Sequence, residues 1–276
     1  MAEEHPSLQY VVLETTTRCN LRCIHCAVNE ENNLGNYDAG DLPIELFYQL
    51  LSMLQEFRPK VQLSGHGETL LHPNFIEMLE KAIHLGCRVN FQTNAMLLTP
   101  RKVEKIVRPE VDTLAISIDA ASPELFEKIR RRARLDKILE NIRLINELKK
   151  RLHTDRPQLG FEFVAMRQNI HELPSVVRMA GELEVANFQI AELVEYNLTR
   201  GESLANDRVM ADYVLEAELE ARKWGINLIL PPHIPGRGGP DSSSNAVADY
   251  SPSPATYKGL RKTCKEPWER IFIQFN

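Results

Sequence analysis

Features that would place a protein in a membrane or a secretion pathway are missing from this sequence. The amino terminus, MAEEHPSLQY, has no basic stretch followed by an apolar core, so it does not read as a signal peptide. No run of about 18 apolar residues occurs that is long enough to span a bilayer. The five cysteines among 276 residues do not make the disulfide framework of a small secreted domain. These absences predict a soluble, cytoplasmic protein whose thiols stay free to bind metal.

The chain also lacks an excess of positive charge. It has 33 Lys and Arg against 38 Asp and Glu, a formal charge of −5. Nucleic acid and anionic membrane surfaces are therefore not expected as the main partners. Aromatic residues make up only 7% of the chain and hydrophobic residues 43%, and the length of 276 residues allows one barrel-sized domain or two smaller ones. Small or peptidic ligands fit this composition better.

Apolar segments of strand length alternate with amphipathic segments of helix length, and this alternation predicts parallel strands joined by helical crossovers. The predicted strands cover 9–14, 60–65, 88–94, 113–119, 159–166 and 187–193. The predicted helices cover 43–57, 73–86, 99–107, 122–151, 169–184 and about 207–224. Thr99 and Ser122 each precede a proline and can cap the helix that follows, and Gly86 ends the second helix.

Six such units predict an α/β fold, a partial (β/α)6 barrel of the TIM type that is open along one side. The barrel occupies residues 1–230. Residues 231–262 are rich in Pro, Gly and Ser and are predicted to form a linker or a lid. Residues 263–276 form a short C-terminal extension.

Three cysteines lie within eight residues, directly after the first predicted strand. Cys19, Cys23 and Cys26 have the spacing C-x3-C-x2-C in the segment CNLRCIHC. The loop at the carboxyl end of a strand is where parallel barrels carry their active sites. Iron-sulfur cubes normally take four thiolates, so three leave one iron with an open position for a substrate or cofactor.

This segment resembles the signature of radical S-adenosylmethionine (radical SAM) enzymes, in which the amino and carboxylate groups of SAM chelate the fourth iron. The segment LSGHGETLLHP at 63–73 is similar to the glycine-glycine-glutamate element of that family, with His66 interrupting the glycine pair. The resemblance implies that Gly67 lets the backbone approach the methionyl ammonium. It also implies that Glu68 sets this loop and adds charge complementarity.

Other residues at the ends of predicted strands complete the expected SAM site. Ser117 and Asp119 alternate along the fourth strand and are expected to face SAM's ribose or amino group, and Asn94 ends the third strand at the barrel mouth. His25 stands where the family usually has an aromatic ring beside the adenine. Arg130 resembles an arginine that related enzymes place near SAM's carboxylate.

Each of these residues also has an ordinary structural interpretation. The three cysteines would suit a structural zinc site completed by His25 or Cys264. The segment GHGE alone would suit a turn with a capping glutamate, and Ser117, Asp119 and Asn94 would suit caps. The arginine-rich run 130–134 is also typical of a solvated helix face. Cys87 is predicted to be a small buried hydrophobic residue.

The C-terminal segment CKEPWERIFIQFN resembles the entry to the auxiliary-cluster module called SPASM or twitch. The resemblance implies that Cys264 is the first ligand of an auxiliary iron-sulfur cluster whose remaining ligands either belong to a longer form of the protein or were lost with the module. The alternative is a stray exposed cysteine on a final strand. One thiolate alone cannot hold a second cluster.

The family resemblance also implies an activity. A reduced [4Fe-4S] cluster, held by the three cysteines, cleaves SAM to methionine and a 5'-deoxyadenosyl radical, which removes hydrogen from a substrate. An electron donor such as flavodoxin or ferredoxin is implied as a partner. The module resemblance favours a peptide or protein substrate. A small molecule such as a sugar, nucleotide or cofactor precursor is the second candidate, and a non-catalytic zinc or iron-sulfur protein is a third class.

Overall fold

The computed structural model describes residues 8–32, 39–204, 207, 209–231 and 270–273. Its strands are β1 (Tyr10–Leu13), β2 (Arg22–Cys23), β3 (Lys60–Leu63), β4 (Arg88–Thr93), β5 (Val111–Ser117), β6 (Arg130–Arg131), β7 (Gln158–Ala165), β8 (Asn187–Glu192), β9 (Asn227–Ile229) and β10 (Arg270–Ile273). Its α-helices are α1 (Ile44–Leu54), α2 (Phe75–His84), α3 (Pro100–Ile106), α4 (Pro123–Ile129), α5 (Leu135–Arg151), α6 (Leu173–Glu182) and α7 (Val209–Trp224).

The main sheet confirms the predicted α/β alternation. Its order is β10-β1-β3-β4-β5-β7-β8-β9, and every neighbouring pair is parallel. All six predicted strands are present, and β9 and β10 extend the sheet at its two edges. Since β9 and β10 do not pair with each other, the described residues form an open sheet rather than a closed barrel.

The two faces of the strands have different compositions. In β3, Val61 and Leu63 are fully buried and alternate with the half-buried Gln62. In β4, Val89 and Phe91 are buried on the side of α2, where the rings of Phe91 and Phe75 meet at 5.1 Å between centroids. Because side chains alternate along a strand, the apolar set packs under the helices and the other set faces inward. The inward set therefore forms the lining of the site.

The long helix predicted over 122–151 is wrong, because the chain breaks it into α4 and α5. Arg132 has the left-handed φ of +74°, and the residues of β6 pair antiparallel with β2. Since the arginines and alanine here are fair helix formers, local propensity did not reveal the break. The pairing with β2 overrides it, and this pairing brings Arg130 beside Cys23.

Local signals at helix ends gave mixed results. Thr99 accepts a hydrogen bond from the amide of Lys102 and caps α3, and Gly86 follows α2 with a φ of +80°. Ser122 makes no side-chain cap; its hydroxyl donates to the carboxylate of Glu172 instead. The cap prediction for Ser122 is therefore wrong, because a partner distant in sequence takes the hydroxyl.

Predictions for the C-terminal part lie almost wholly outside the described residues. These include the linker or lid at 231–262 and Cys264. Of the extension 263–276, only β10 is described, and it pairs with β1 in the register Tyr10 to Arg270. In the described part of the chain, no helix combines the length and the apolar composition needed to cross a bilayer.

Candidate active site

A cavity of about 390 Å³ opens at the carboxyl ends of the strands, within the size range of small-molecule sites. It is lined by the cysteine loop, by the loop after β3 and by the inward faces of six strands. The predicted site residues on its lining are Cys19, Cys23, His25, Cys26, Gly67, Glu68, Asn94, Ser117 and Arg130. The fold therefore brings together residues that are up to 111 positions apart in sequence (Cys19 to Arg130).

The cysteine loop is held by backbone and amide hydrogen bonds. The amide of Cys26 donates to the carbonyl of Cys23 at 3.3 Å. Buried Asn29 donates its side-chain N–H to the carbonyl of Cys23 at 3.1 Å, and buried Asn32 donates to those of Ile24 and Cys26 at 3.0 and 2.8 Å. These asparagines satisfy the carbonyls of an irregular loop. Sequence reasoning missed both, because a polar residue in a loop carries no signal of burial.

Hydrogen-bond donors surround the sulfurs. The amide of Leu21 lies 3.4 Å from Cys19 Sγ, Asn94 Nδ2 lies 4.0 Å from the same sulfur, and Arg130 Nη1 lies 3.9 Å from Cys23 Sγ. Burial raises the pKa of all three thiols, that of Cys23 to about 12. Bare thiolates are therefore costly here, and a bound metal centre would supply the compensating positive charge.

The donor set fits an iron-sulfur cluster better than a single ion. Among the residues described, no three His, Cys, Asp or Glu side chains converge so that they can hold one metal ion. A four-iron cluster takes its thiolates on separate irons, so the three sulfurs need not meet at one point. His25 is not part of such a group either; its Nε2 lies 3.6 Å from Asp119 Oδ2.

Arg130 is the residue whose environment differs most from the sequence prediction. Its side chain is only 8% exposed, and its Nε forms an ion pair of 2.7 Å with Asp119 Oδ2. Asp119 is fully buried and also accepts the amide of Val164 at 2.8 Å. Asp119 is thus not on the cavity lining; it lies behind Arg130 and holds it. Burial lowers the pKa of His25 to about 4, so the ring beside them is neutral at neutral pH.

The loop after β3 is fixed by Glu68, which is buried. Its carboxylate accepts the amide of Leu70 at 3.1 Å, the hydroxyl of Thr93 at 2.6 Å and the amide of Asn94 at 2.7 Å. Asn94 in turn donates to Asn20 Oδ1 at 2.9 Å. These bonds tie the ends of β3 and β4 to the cysteine loop. Asn20 was not identified from the sequence.

Gly67 is required by a close backbone approach. A Cβ at this position would lie 2.3 Å from the carbonyl oxygen of Thr16 and 2.5 Å from that of Arg18. Both carbonyls belong to the segment that leads into the cysteine loop. The glycine therefore allows the loop after β3 to pack against this segment, and its predicted contact with the methionyl ammonium stays a prediction.

A second group of polar side chains lies deeper, on the inward faces of the strands. We call Tyr10, Gln62, Gln92, Glu162 and Gln189 the strand wall; all five line the cavity. The Tyr10 hydroxyl bonds to Gln62 Oε1, and Gln92 Nε2 donates to Glu162. Ser117 lies at the edge of this wall, 3.4 Å from Gln92 Nε2. Sequence reasoning missed the five, although polar residues at alternate positions of otherwise apolar strands were a usable signal.

The model of the Radical SAM superfamily matches residues 13–179, more than half of the chain. This protein belongs to the radical SAM superfamily. The predicted resemblance is therefore confirmed, and the cofactors that the superfamily implies are a [4Fe-4S] cluster and SAM. The radical SAM match begins in β1 and contains all the residues predicted for the cluster and for SAM.

Two curated relatives of this radical SAM protein have different recorded roles. The tungsten-containing aldehyde ferredoxin oxidoreductase cofactor-modifying protein of Pyrococcus furiosus is 27% identical over 195 residues, which cover 68% of this chain and 52% of the relative. The PqqA peptide cyclase of Bradyrhizobium diazoefficiens is 28% identical over 189 residues, which cover 67% of this chain and 47% of the relative. The chain spans about half the length of these relatives.

A solved radical SAM structure, SuiB of Streptococcus suis bound to S-adenosylmethionine, matches with a TM-score of 0.66 at 18% identity. The match covers 82% of this chain and 51% of SuiB. A second structure of SuiB contains its precursor peptide SuiA. At this identity the match shows the fold alone, and it confirms the predicted partial barrel.

Proposed function

We propose that this protein cleaves SAM reductively at a [4Fe-4S] cluster and uses the resulting radical to abstract hydrogen from a peptide or protein substrate. The observation that carries the proposal is the cysteine loop. Three thiols, one buried and two half-buried, line one cavity, and in the described part of the chain no fourth cysteine lines it. A cluster held in this way keeps one iron for SAM.

The protein's own residues hold and shield the reactants. Cys19, Cys23 and Cys26 would hold the cluster, which, when bound, supplies the electron that breaks the carbon-sulfur bond of SAM. Arg130, fixed by Asp119, places a buried positive charge beside Cys23. The sheet forms one wall of the cavity and shields the radical's path from water on that side, which limits side reactions.

The roles of the SAM contacts are part of this proposal. Gly67 and Glu68 form the backbone turn expected beside the methionyl group, with Asn94 tied to it. Ser117 is the last residue of β5, where a hydroxyl suits the ribose. His25, neutral and largely buried, suits a stacking position beside the adenine. Asp119 would act through Arg130 rather than by contact.

A peptide substrate is favoured by two kinds of support. The relative from Bradyrhizobium diazoefficiens is named a PqqA peptide cyclase, and one SuiB structure contains the precursor peptide SuiA. The described sheet is open along one side, which suits an extended substrate. A small molecule is the alternative, because the relative from Pyrococcus furiosus is described as a cofactor-modifying protein. A flavodoxin or ferredoxin donor, an auxiliary cluster at Cys264 and a cytoplasmic location stay predictions.

Anaerobic reconstitution with iron and sulfide tests the cluster and the cleavage of SAM. We expect the reduced protein to give a cubane signal in electron paramagnetic resonance that changes when SAM is added, with formation of 5'-deoxyadenosine. Tightly bound zinc, with no effect of SAM and no 5'-deoxyadenosine, would overturn the proposal in favour of a structural metal site.

Deuterium transfer tests the substrate class. The probes are short synthetic peptides whose central residue is deuterated, one for each amino acid, together with deuterated sugars and nucleotides. We expect deuterium in the 5'-deoxyadenosine formed with at least one peptide. Transfer from a sugar or nucleotide, with none from any peptide, would replace the peptide proposal by the small-molecule one.

A further inference from the structure

Arg130 lies beside a cysteine sulfur, and the contact expected between this residue and SAM's carboxylate does not explain that position. Its Nη1 lies 3.9 Å from Cys23 Sγ, and its side chain is only 8% exposed. For Cys19 and Cys26, the sulfur donors that the structure shows are neutral backbone or side-chain amides. The donor at Cys23 differs from these in carrying a full positive charge.

The strand pair that carries Cys23 also carries its charged neighbour. Strands β2 and β6 pair antiparallel, with Cys23 directly opposite Arg130. The next amide along the chain, that of Ile24, donates to the carbonyl of Ile129 at 3.0 Å and continues this contact. Residues directly opposite each other in an antiparallel pair have their side chains on the same face. The pairing therefore directs the guanidinium towards the sulfur.

A buried carboxylate, that of Asp119, holds the guanidinium. Asp119 Oδ2 lies 2.7 Å from Arg130 Nε, and its Oδ1 accepts the amide of Val164 at 2.8 Å. Buried Asn169 donates its side-chain N–H to the backbone carbonyls of Asp119 and Val164, both at 2.9 Å. These bonds fix the carboxylate from two segments that are distant in sequence, and the carboxylate in turn fixes Arg130.

Stability alone does not account for a buried ion pair at this place. The removal of two charges from water costs about as much as their attraction returns, so well-packed apolar residues are often equally stabilising. The pair does change the electrostatics at Cys23. Burial raises the pKa of this thiol to about 12, Arg130 acts against that increase, and Asp119 adds to it by a smaller amount. The net effect of the pair at the sulfur is therefore that of a positive charge.

We propose that Arg130 and Asp119 set the reduction potential of the cluster that Cys23 helps to hold. Arg130 favours the reduced form, and Asp119 positions Arg130 and limits its effect. This inference rests on the [4Fe-4S] cluster of the proposed function. Reduction by a one-electron donor adds one negative charge, which a positive group beside a ligand sulfur stabilises. Net charge and hydrogen bonds to the sulfurs are among the properties that set the potentials of such clusters.

The test is an anaerobic redox titration of the reconstituted protein without SAM. Titanium(III) citrate supplies the electrons through redox mediators, and electron paramagnetic resonance measures the reduced cluster. In Arg130→Gln we expect the ratio of reduced to oxidised cluster at a given potential to fall about tenfold, a shift of about 59 mV to lower potential for one electron. In Asp119→Asn, which keeps an oxygen for the amide of Val164, we expect a shift to higher potential.

Two further variants serve as controls. Arg130→Lys keeps the positive charge and should shift the potential less than Arg130→Gln does. Arg131→Gln changes the neighbouring arginine, which is 42% exposed and pairs with Glu31, so the ratio should change less than about twofold. Because the potential is measured only on molecules that hold a cluster, incomplete loading of a destabilised variant does not alter the result.

Each other outcome overturns the inference. If the potentials do not change and Arg130→Gln binds SAM more weakly, Arg130 serves SAM's carboxylate alone. Shifts in the same direction in Arg130→Gln and Asp119→Asn would show that access of solvent, rather than the two charges, changes the potential. If none of the variants at these two positions holds a cluster, the ion pair is structural. Because the titration contains no SAM, absence of 5'-deoxyadenosine would challenge the proposed function without deciding this experiment.

Discussion

The cavity has two walls that are both polar but are built differently. One wall, which we call the cysteine wall, consists of the cysteine loop with Glu68 and Arg130. Its polar side chains bond largely to the backbone or to a buried counter-charge: Glu68 accepts two amides, and Asp119, behind this wall, accepts an amide and pairs with Arg130. On the strand wall, the bonds join flexible side chains to one another, as between Gln92 and Glu162. Backbone partners hold a fixed geometry, whereas exchangeable side-chain bonds can adapt to a ligand.

This difference indicates two kinds of occupant. A wall whose carboxylates are held by backbone amides or by a buried counter-charge suits cofactors that bind in one arrangement in every turnover. The strand wall suits a substrate that must enter and leave, because ligand groups can replace bonds between side chains.

The largest effect is expected from Cys23→Ala. Loss of one of three thiolates should reduce the iron bound after reconstitution to less than about a tenth of the wild-type amount, because clusters of this kind are held by cysteine ligands alone. The matched control is Cys87→Ala, a buried cysteine in the apolar core that should leave the iron content unchanged. Iron and sulfide analysis checks both. If both variants lost the same amount of iron, the loss would come from impaired folding rather than from a missing cluster ligand.

Arg130→Gln should have the next largest effect. It leaves Asp119 fully buried without its counter-charge, which is expected to lower the free energy of unfolding by about 3 to 5 kcal/mol. Arg131→Gln removes an exposed pair with Glu31 and should cost at most about 1 kcal/mol. Denaturant titrations of the two variants measure the difference. Similar values would mean that the cysteine wall does not depend on its buried ion pair.

Arg130 also shows where sequence reasoning was strong and where it failed. The order of strands and helices and the cysteine loop followed from periodicity and spacing, which are local in sequence. The break after Ile129 did not, since it depends on pairing with residues 22 and 23, more than 100 positions away. The strand wall was missed for a related reason: a polar residue in a predicted strand acquires meaning only when the inward face is known.

Gly67→Ala tests whether backbone contact holds the cysteine wall together. The added Cβ would meet two backbone carbonyls closer than 3.0 Å, so the loop must move, at an expected cost of about 1 to 3 kcal/mol in the free energy of unfolding. Gly160→Ala in β7 is the control, because its nearest neighbour would be 3.7 Å away. Denaturant titrations and iron content are the measurements. If Gly67→Ala changed neither the free energy of unfolding nor the iron content, the close approach of residue 67 to the carbonyls of Thr16 and Arg18 would not be needed to hold the loop.

The sharpest comparison of the two walls is expected from two glutamate-to-glutamine substitutions, one in each wall. The substitution in the strand wall should have the smallest effect of all. Glu68→Gln places an amide N–H₂ against a carboxylate site that accepts three donors, so it should lower the free energy of unfolding by about 1 to 3 kcal/mol and weaken SAM binding. Glu162→Gln keeps an acceptor for Gln92 and should cost less than about 1 kcal/mol, with SAM affinity changed less than about twofold.

Equilibrium binding of SAM to the two reconstituted variants separates the walls without knowledge of the substrate. The two substitutions change the same atoms and the same formal charge, so a difference between them reports the surroundings of each carboxylate. If Glu162→Gln weakens SAM binding as much as Glu68→Gln does, the strand wall contacts the cofactor. The assignment of the cysteine wall to cofactors and of the strand wall to the substrate would then be wrong. If only Glu68→Gln weakens SAM binding, the strand wall is available to contact the substrate. Deuterium transfer from the deuterated probes should then be compared between the Glu162→Gln variant and the wild-type protein.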